Sequence, residues 1–236
     1  SLKDMFGEFR DIITKTIQVV VLPLLPIYIF GIFFNMTHSG EVFKVLTMFV
    51  KIIGVIFVMH IFLLLFQYAI AGIFAKKNPL RLLSRMMPAY FTALGTQSSA
   101  ATIPVTLRQT ILNGVNKDIA GFVIPLCATI HLSGSTMKIV ACAIALMMMQ
   151  GIGYDFQSIA GFIFMLGITM VAAPGVPGGA IMAALGILSS MLGFDDKSLA
   201  LMIALYIAMD SFGTACNVTG AGALALIIDK FFGKKE

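Results

Sequence analysis

Long apolar stretches separated by short polar links dominate the pattern of this chain. The first two stretches cover 12–34 and 45–74, with a polar link at 35–41 between them and a basic link at 75–85 after them. A helix of about 20 apolar residues is long enough to cross the hydrocarbon core of a bilayer. Both stretches are therefore predicted to be membrane-spanning helices.

Small polar or glycine-rich runs interrupt each of the four later apolar stretches. These interruptions lie at 95–102, 131–135, 173–179 and 210–222. The halves on either side of the first are about ten residues long, too short to cross a bilayer. We therefore predict re-entrant helical hairpins at about 80–113 and 156–194, because non-helical backbone survives at membrane depth only inside protein or facing water. The other two interruptions predict broken helices at about 118–149 and 198–229.

A hairpin followed by a broken helix thus occurs twice along the chain. Paired interrupted segments in corresponding positions are the sequence sign of a transporter's binding site. The predicted fold is all-α, a polytopic membrane protein with two inverted repeats of this kind. The hairpin tips are expected to bring the two repeats together.

The composition supports a membrane protein over a soluble one. Of the 236 residues, 59% are hydrophobic and 11% are charged, whereas soluble domains carry roughly 25% charged residues. The chain opens on Ser1 without a signal peptide, so we expect it to begin within a longer protein. The cysteines lie singly in apolar stretches, and no cofactor or metal is expected from them.

The formal charge of +5 comes from basic residues at the ends of the apolar stretches. If both hairpins return to their own side, most of these residues fall on one side of the bilayer, which should be cytoplasmic. This distribution is typical of topology signals, so no nucleic-acid partner is predicted. We expect an integral protein of the bacterial inner membrane.

Four short motifs, in this order, resemble those of the dicarboxylate/amino acid:cation symporter family, the glutamate transporters. They are TQSSAATIPVT at 96–106, PLCATI at 125–130, APGVPGG at 173–179 and DSFGTACNVTG at 210–220. The two earlier spans match the family's fifth and sixth helices in position. The resemblance implies a scaffold-type helix at 1–38, a substrate-binding transport domain at 39–236, and a homotrimer for the full-length protein.

Several positions depart from the family pattern. Ser133 and Ala221 stand where the family has sodium-binding carboxylates. Gly213 replaces the arginine that binds an acidic substrate's side chain, and Gln97 replaces an arginine often found in the first hairpin. These losses favour a small neutral amino acid as substrate, with weakened sodium coupling.

Asp210 is the first candidate for substrate binding, because a charge at bilayer depth is costly and rarely idle. Asn217 lies two turns along the same helix, on the same face. Ser98 and Ser99 lie at a tip where free amide groups could hold a carboxylate. The alternative for each is a structural hydrogen bond or close helix packing. The full predicted substrate set is Ser98, Ser99, Ser135, Gly175, Val176, Pro177, Gly178, Asp210, Gly213, Thr214 and Asn217.

The second tip, around Gly175, is expected to act as a movable lid, since glycine lets the backbone approach a ligand closely. His131 lies beside the family's sodium sites and titrates near physiological pH. The coupling ion is therefore predicted to be Na⁺ or H⁺. The predicted coupling-ion set is Thr129, His131, Ser133, Ala172 and Asn217.

The sequence therefore predicts a secondary transporter that works by alternating access, and no enzyme. The alternatives are a sodium-coupled symporter of acidic amino acids or dicarboxylates, an exchanger, and a non-transporting relative. A channel is disfavoured because the polar residues cluster at breaks instead of forming a continuous pore. An intramembrane enzyme would need a nucleophile and base, which Ser99 and His131 could only imitate.

Overall fold

The structure is a computed structural model that describes residues 22–38, 40 and 42–233, together with short pieces between 5 and 20. From residue 22 onwards, the described residues form helices and no strand, which confirms the all-α prediction. Within the predicted span at 12–34, residues 13, 14, 17, 18 and 21 fall outside the described residues. The helices are α1 (Leu22–His38), α2 (Val42–Ala75), α3 (Pro79–Arg85), α4 (Met87–Thr96), α5 (Ser99–Leu112), α6 (Lys117–Ile130), α7 (Ser133–Gln150), α8 (Phe156–Val171), α9 (Gly179–Leu192), α10 (Asp196–Ala208) and α11 (Asp210–Phe232).

Three helical stretches of the described chain are long and apolar enough to cross a membrane: Val42–Ala75, Lys117–Gln150 and Asp210–Phe232. The first is α2, which exposes large apolar side chains along its length, among them Phe43 and Phe62. Apolar surface on this scale is unfavourable in water and is matched by lipid. The prediction of a polytopic membrane protein is confirmed.

The basic link at 75–85 is not entirely a link, because α3 occupies its second half. Asn78 caps this helix by accepting hydrogen bonds from the Leu80 and Arg81 amides at 2.9 and 3.2 Å. Pro79 follows at the first helical position, where its fixed φ and missing N–H are tolerated. Local capping chemistry therefore makes a short helix where charge alone predicted a loop.

Two of the predicted interruptions are narrower than their polar runs. Only Gln97 and Ser98 separate α4 from α5, and these two residues are called the first tip. Ser98 caps α5, so the serine-rich run continues as helix. Between α6 and α7 only His131 and Leu132 are non-helical. Residues 172–178 separate α8 from α9, close to the predicted interruption, and are called the second tip.

The predicted break at 210–222 is wrong in position. The only interruption between α10 and α11 is Met209, and α11 continues from Asp210 to Phe232. The glycines of this segment serve close packing instead. A Cβ on Gly222 would lie 2.7 Å from the Met86 side chain and 2.9 Å from the Tyr68 hydroxyl. Small residues let membrane helices approach each other. The polar and glycine-rich pattern at 210–222 therefore reflects close helix packing, and the helix is not unwound there.

The helix α11 lies at the centre of the molecule, where it packs against α2, α4, α5, α6 and α7. One apolar core surrounds its second half and includes Tyr68, Met86 and Leu226. A second core joins α7, α8, α9 and α10 and includes Leu146, Phe162 and Leu201. The α4–α5 and α8–α9 pairs each pack closely. The division into 1–38 and 39–236, and the re-entrant nature of the pairs, stay predictions.

Two aspartates cap helices in the loops that link these elements. Asp155 accepts a hydrogen bond from the Ser158 amide at 2.8 Å, and Asp195 accepts one from the Ser198 amide at 2.8 Å. The Ser158 and Ser198 hydrogen bonds lower the pKa of both carboxyl groups. Both caps are therefore charged at neutral pH, as suits a helix N-terminus.

Candidate functional site

The two tips meet each other directly. The Ser98 hydroxyl of the first tip donates a hydrogen bond to the Gly175 carbonyl of the second tip at 3.0 Å. The same hydroxyl accepts from the Ala101 amide at 3.3 Å, so one side chain both caps α5 and joins the tips. A Cβ on Gly175 would lie 3.3 Å from the Ala128 carbonyl oxygen, at the end of α6. Three segments that are far apart in sequence thus converge here.

The second tip also bonds to the start of α11. The Gly178 amide donates to Asp210 Oδ2 at 2.7 Å. Gly178 has a φ of 73°, in the left-handed region that glycine adopts without strain. Next to it, a Cβ on Gly179 would collide with the Pro174 carbonyl. The glycines therefore allow the tip to turn sharply enough to present an amide to the carboxylate.

Asp210 is paired with Lys138, a residue of α7. The Lys138 ammonium lies 3.5 Å from Asp210 Oδ1 and donates to the Tyr206 and Met209 carbonyl oxygens at 3.2 and 3.3 Å. It also lies 3.4 Å from the centre of the Tyr206 ring, a cation–π contact. The Lys138 side chain is completely buried. Both oxygens of the Asp210 carboxylate therefore have partners within the chain.

Gly213 lies against the same ammonium. A Cβ on Gly213 would lie 3.0 Å from Lys138 Nζ and 3.4 Å from Ser135 Oγ. A larger side chain at this position would have to displace the lysine. The space beside Asp210 is therefore filled from α7 and not from α11.

Asn217 connects α11 to the N-terminus of α7. Its Oδ1 accepts from the Gly134 and Ser135 amides at 2.8 and 3.2 Å, and its Nδ2 donates to Ser135 Oγ at 2.9 Å. The Tyr206 hydroxyl donates to the same Ser135 oxygen at 3.1 Å. These bonds satisfy amides that a helix start otherwise leaves unpaired. Ser135, Tyr206 and Asn217 form one buried hydrogen-bonded group beside the ion pair.

The break between α6 and α7 holds a different group, which contains no carboxylate, ammonium or guanidinium. His131 Nε2 lies 3.3 Å from Ser133 Oγ, and the Gln67 side chain of α2 donates to the same oxygen at 3.2 Å. A Cβ on Gly220 would collide with both Gln67 and His131. Gln67 Oε1 is buried and has no hydrogen-bond partner among the described residues. His131, Ser133 and Gln67 are called the neutral cluster.

Helix α2 supports this region with two further contacts. His60 Nε2 lies 3.1 Å from the Gly134 carbonyl oxygen, and the Tyr68 hydroxyl donates to the Thr219 carbonyl oxygen at 2.8 Å. Both side chains are buried. These contacts give both side chains a structural role between α2 and the helices α7 and α11.

A cavity of about 520 Å³ opens beside the tips. Its lining includes Pro177, Gly178 and Asp210 from the predicted substrate set, and Gln97 from the first tip. The far wall is formed by α1 through Pro26, Ile29 and Phe30, and by Ile207 of α10. The predicted hairpin tips and Asp210 thus share one cavity.

The remaining predicted residues lie at varying distances from that cavity. Ser99 and Thr214 are buried. The Thr129 hydroxyl donates to the Leu126 carbonyl of its own helix at 3.0 Å. Val176 is half-buried within the second tip, and Ala172 is exposed at the end of α8.

From the sequence, Lys138 is expected either to snorkel or to pair with a carboxylate, and the structure shows the pairing, with Asp210. The sequence assigns no role to Tyr206 or Gln67. A lysine within an apolar helix was the one available signal, because such a charge needs a buried partner. Tyr206 and Gln67 carry no comparable signal, since a single tyrosine or glutamine is common in membrane helices. Only the packing of α2 and α10 against α7 brings them to the two breaks.

Comparison with known proteins gives consistent results along the whole chain. Residues 1–231 match the family model described as the sodium:dicarboxylate symporter family. The chain is 32% identical to excitatory amino acid transporter 2 of Homo sapiens over 170 residues, which cover 72% of this chain and 29% of that protein. It is 31% identical to neutral amino acid transporter B(0) of Mus musculus over 163 residues, which cover 67% and 29%.

A third relative aligns with the full length of the chain. Excitatory amino acid transporter 3 of Mus musculus is 27% identical over 238 residues, which cover 100% of this chain and 45% of that protein. The chain therefore spans less than half the length of these curated relatives. The matched family is one of transporters rather than enzymes.

Proposed function

The chain belongs to the sodium:dicarboxylate symporter family, and from this premise we propose that it forms the substrate-binding half of a secondary transporter for a small neutral amino acid. The observation that carries the proposal is the shared cavity at the tips. There Gly178, the Asp210 carboxylate and Gln97 of the first tip line one cavity of about 520 Å³, and the Gly178 amide donates to Asp210. Sites of this kind are concave, with a few polar groups that fix the ligand.

Charge balance favours a neutral substrate. Asp210 and Lys138 together carry no net charge, and both are buried. A zwitterionic amino acid adds no net charge to this site, whereas a dicarboxylate would add two negative charges. An unpaired buried charge costs several kcal/mol, of order 3 to 5. Gly213, beside the pair, offers no cation for a second carboxylate.

Each end of the amino acid has a group of suitable chemistry nearby. The Asp210 carboxylate can receive the ammonium group, as in the family that the sequence resembles. The amides of the tips can donate hydrogen bonds to the carboxylate. The Ser98 hydroxyl could donate to it only after giving up its bond to the Gly175 carbonyl. The second tip would then act as the lid. The hydrogen bond between the Gly178 amide and Asp210 would break as the lid opens.

Sodium coupling is expected from the family, and the neutral cluster suggests that it is weakened. Ser133 and Ala221 supply no carboxylate, and Ser133 is engaged by His131 and Gln67. Main-chain carbonyls at Thr129 and Ala172 remain as hard oxygen ligands. At most one Na⁺ is then coupled. Proton coupling through His131 or Asp210 is the alternative driving force.

Uptake of labelled serine or alanine into liposomes that contain the purified protein tests the substrate class. Unlabelled serine and alanine should compete best, and aspartate and succinate should compete at least about tenfold less well, since they add uncompensated charge. Imposing the Na⁺ and pH gradients separately then tests coupling. Steep Na⁺ dependence with a Hill slope well above one would contradict weakened coupling.

An acidic amino acid or dicarboxylate is the second candidate, because the family's description names dicarboxylates and two of the relatives are excitatory amino acid transporters. Better displacement by aspartate or succinate than by serine would favour it. A homotrimer and a bacterial inner membrane stay predictions. Light scattering of the purified full-length protein tests the first of these.

A further inference from the structure

The surroundings of Lys138 are those of a bound monovalent cation. An ammonium group has three hydrogens to donate, and this one has three oxygen acceptors at 3.2, 3.3 and 3.5 Å: the Tyr206 and Met209 carbonyls and Asp210 Oδ1. Its side chain is fully buried. With every donor used, the ammonium has no hydrogen left for a substrate in the cavity. Its role must therefore be exerted through Asp210.

The oxygen atoms around the ammonium match what a hard alkali cation requires. Such ions prefer main-chain carbonyl and carboxylate oxygens over nitrogen or sulfur. The two carbonyls belong to Tyr206, near the C-terminus of α10, and to Met209 just after it, where the helix dipole favours positive charge. Each also accepts a main-chain hydrogen bond at 3.2 Å, from the Met209 and Gly213 amides respectively, and uses a second lone pair for the ammonium. The Tyr206 ring adds a cation–π face at 3.4 Å.

The tyrosine and the glycine beside the ammonium define the shape of this site. The Tyr206 hydroxyl is fixed by its bond to Ser135 at 3.1 Å, so the ring is held in place. A Cβ on Gly213 would lie 3.0 Å from Lys138 Nζ, so the fourth side is open only because this residue is glycine. A side chain at this position would therefore compete with the ammonium for its space.

We propose that the Lys138 ammonium is a tethered monovalent cation, which fills a cation site formed by the Tyr206 and Met209 carbonyls and the Asp210 carboxylate. It thereby holds the Asp210 carboxylate oriented toward the Gly178 amide of the second tip, without a diffusible ion at that position. Lys138 is a positioning residue, because it acts through Asp210. Only the transport readout below rests on the proposed function.

A lysine-to-alanine change tests the proposal by exposing the site to free ions. Lys138→Ala removes the ammonium and leaves its volume vacant, whereas Lys138→Met removes the charge and fills the volume. In choline chloride, both variants of the purified protein should melt below the wild type. Adding potassium, sodium or methylammonium chloride at about ten times the dissociation constant should raise the melting temperature of Lys138→Ala by roughly 3 to 6 °C more than that of the wild type or Lys138→Met.

The outcomes separate the proposal from a merely structural role for the lysine. Equal salt responses in both variants, or in Lys138→Ala and the wild type, would overturn it. If Lys138→Ala is too unstable to purify in choline, it should be recovered in potassium or methylammonium salts. Failure to recover it in any of these salts also counts against a cation site.

Transport gives a second readout. With a fixed low Na⁺ gradient and choline as the balancing cation, amino acid uptake by Lys138→Ala should fall by roughly tenfold relative to the wild type, about the loss of one charge-assisted hydrogen bond, and external potassium or methylammonium should restore it. Lys138→Met should stay inactive in every salt. If the wild type transports no amino acid, the proposed function fails while the melting experiment still tests the cation site.

Discussion

The two helix breaks of this protein, at His131–Leu132 and at Met209, satisfy their polar groups in opposite ways. The first is lined by the neutral cluster of His131, Ser133 and Gln67. The second is held by a buried ion pair, Lys138 and Asp210, with three oxygens around one ammonium. Both lie against α11, and Asn217 connects them through Gly134 and Ser135.

This difference matters because charged and neutral groups have different consequences when one partner is lost. A buried charge without its partner costs about 3 to 5 kcal/mol, whereas a neutral hydrogen bond contributes about 1 kcal/mol. We therefore expect the break at Met209 to dominate stability and binding. The neutral cluster should tolerate substitution, even though its Ser133 stands where the family has a sodium-binding carboxylate.

Asp210→Asn should have the largest effect. It leaves the Lys138 ammonium buried without a counter-charge, so the free energy of unfolding should fall by about 3 kcal/mol. Amino acid affinity should fall at least about tenfold. Thermal melting in detergent and equilibrium binding of labelled serine measure the two effects. The matched control is Asp229→Asn, on the same helix but bonded to the Asn116 amide instead.

A double variant separates the ion pair from the carboxylate itself. Lys138→Met combined with Asp210→Asn removes both charges, so it should melt above Asp210→Asn alone while binding no better. If the double variant is less stable than either single one, the charges do not compensate each other and the comparison of the breaks fails.

Gly134→Ala should have an intermediate effect, because it disturbs the contact between α7 and α11 that both breaks share. The added Cβ would lie 2.7 Å from Cys216 Cβ and 3.0 Å from the Gly213 carbonyl oxygen. Overpacking of this kind typically costs about 1 to 3 kcal/mol. Gly121→Ala in α6 is the control, since nothing lies within 4 Å of its new Cβ. It should be neutral or stabilising, by up to about 1 kcal/mol.

Ser133→Ala should have the smallest effect. It removes the common partner of Gln67 and His131, which is worth about 1 kcal/mol, and leaves the ion pair intact. Serine affinity should change less than about threefold, as measured by the same binding assay. A loss as large as that of Asp210→Asn would show that the neutral cluster holds a ligand or ion after all.

The sequence determined the architecture because hydropathy and helix signals are local. Apolar length predicted the span that became α2, and the motifs at 96–106 and 173–179 predicted the two tips to within a few residues. Their pairing was also foreseeable from the repeated order of hairpin and broken helix. The exact ends of the breaks were not foreseeable, because Ser99 and Ser133 are polar and still begin helices.

The tertiary structure alone decided which groups meet. Lys138 and Asp210 are 72 positions apart, and Gln67 and Ser133 are 66 apart, so no local pattern links either pair. The glycines of α11 looked like an unwound segment, but close packing against Met86 and Tyr68 keeps them helical. A charge in an apolar helix thus shows that a buried partner is needed, and a glycine shows that another group can approach closely. Which group that is depends on the packing of the helices in three dimensions.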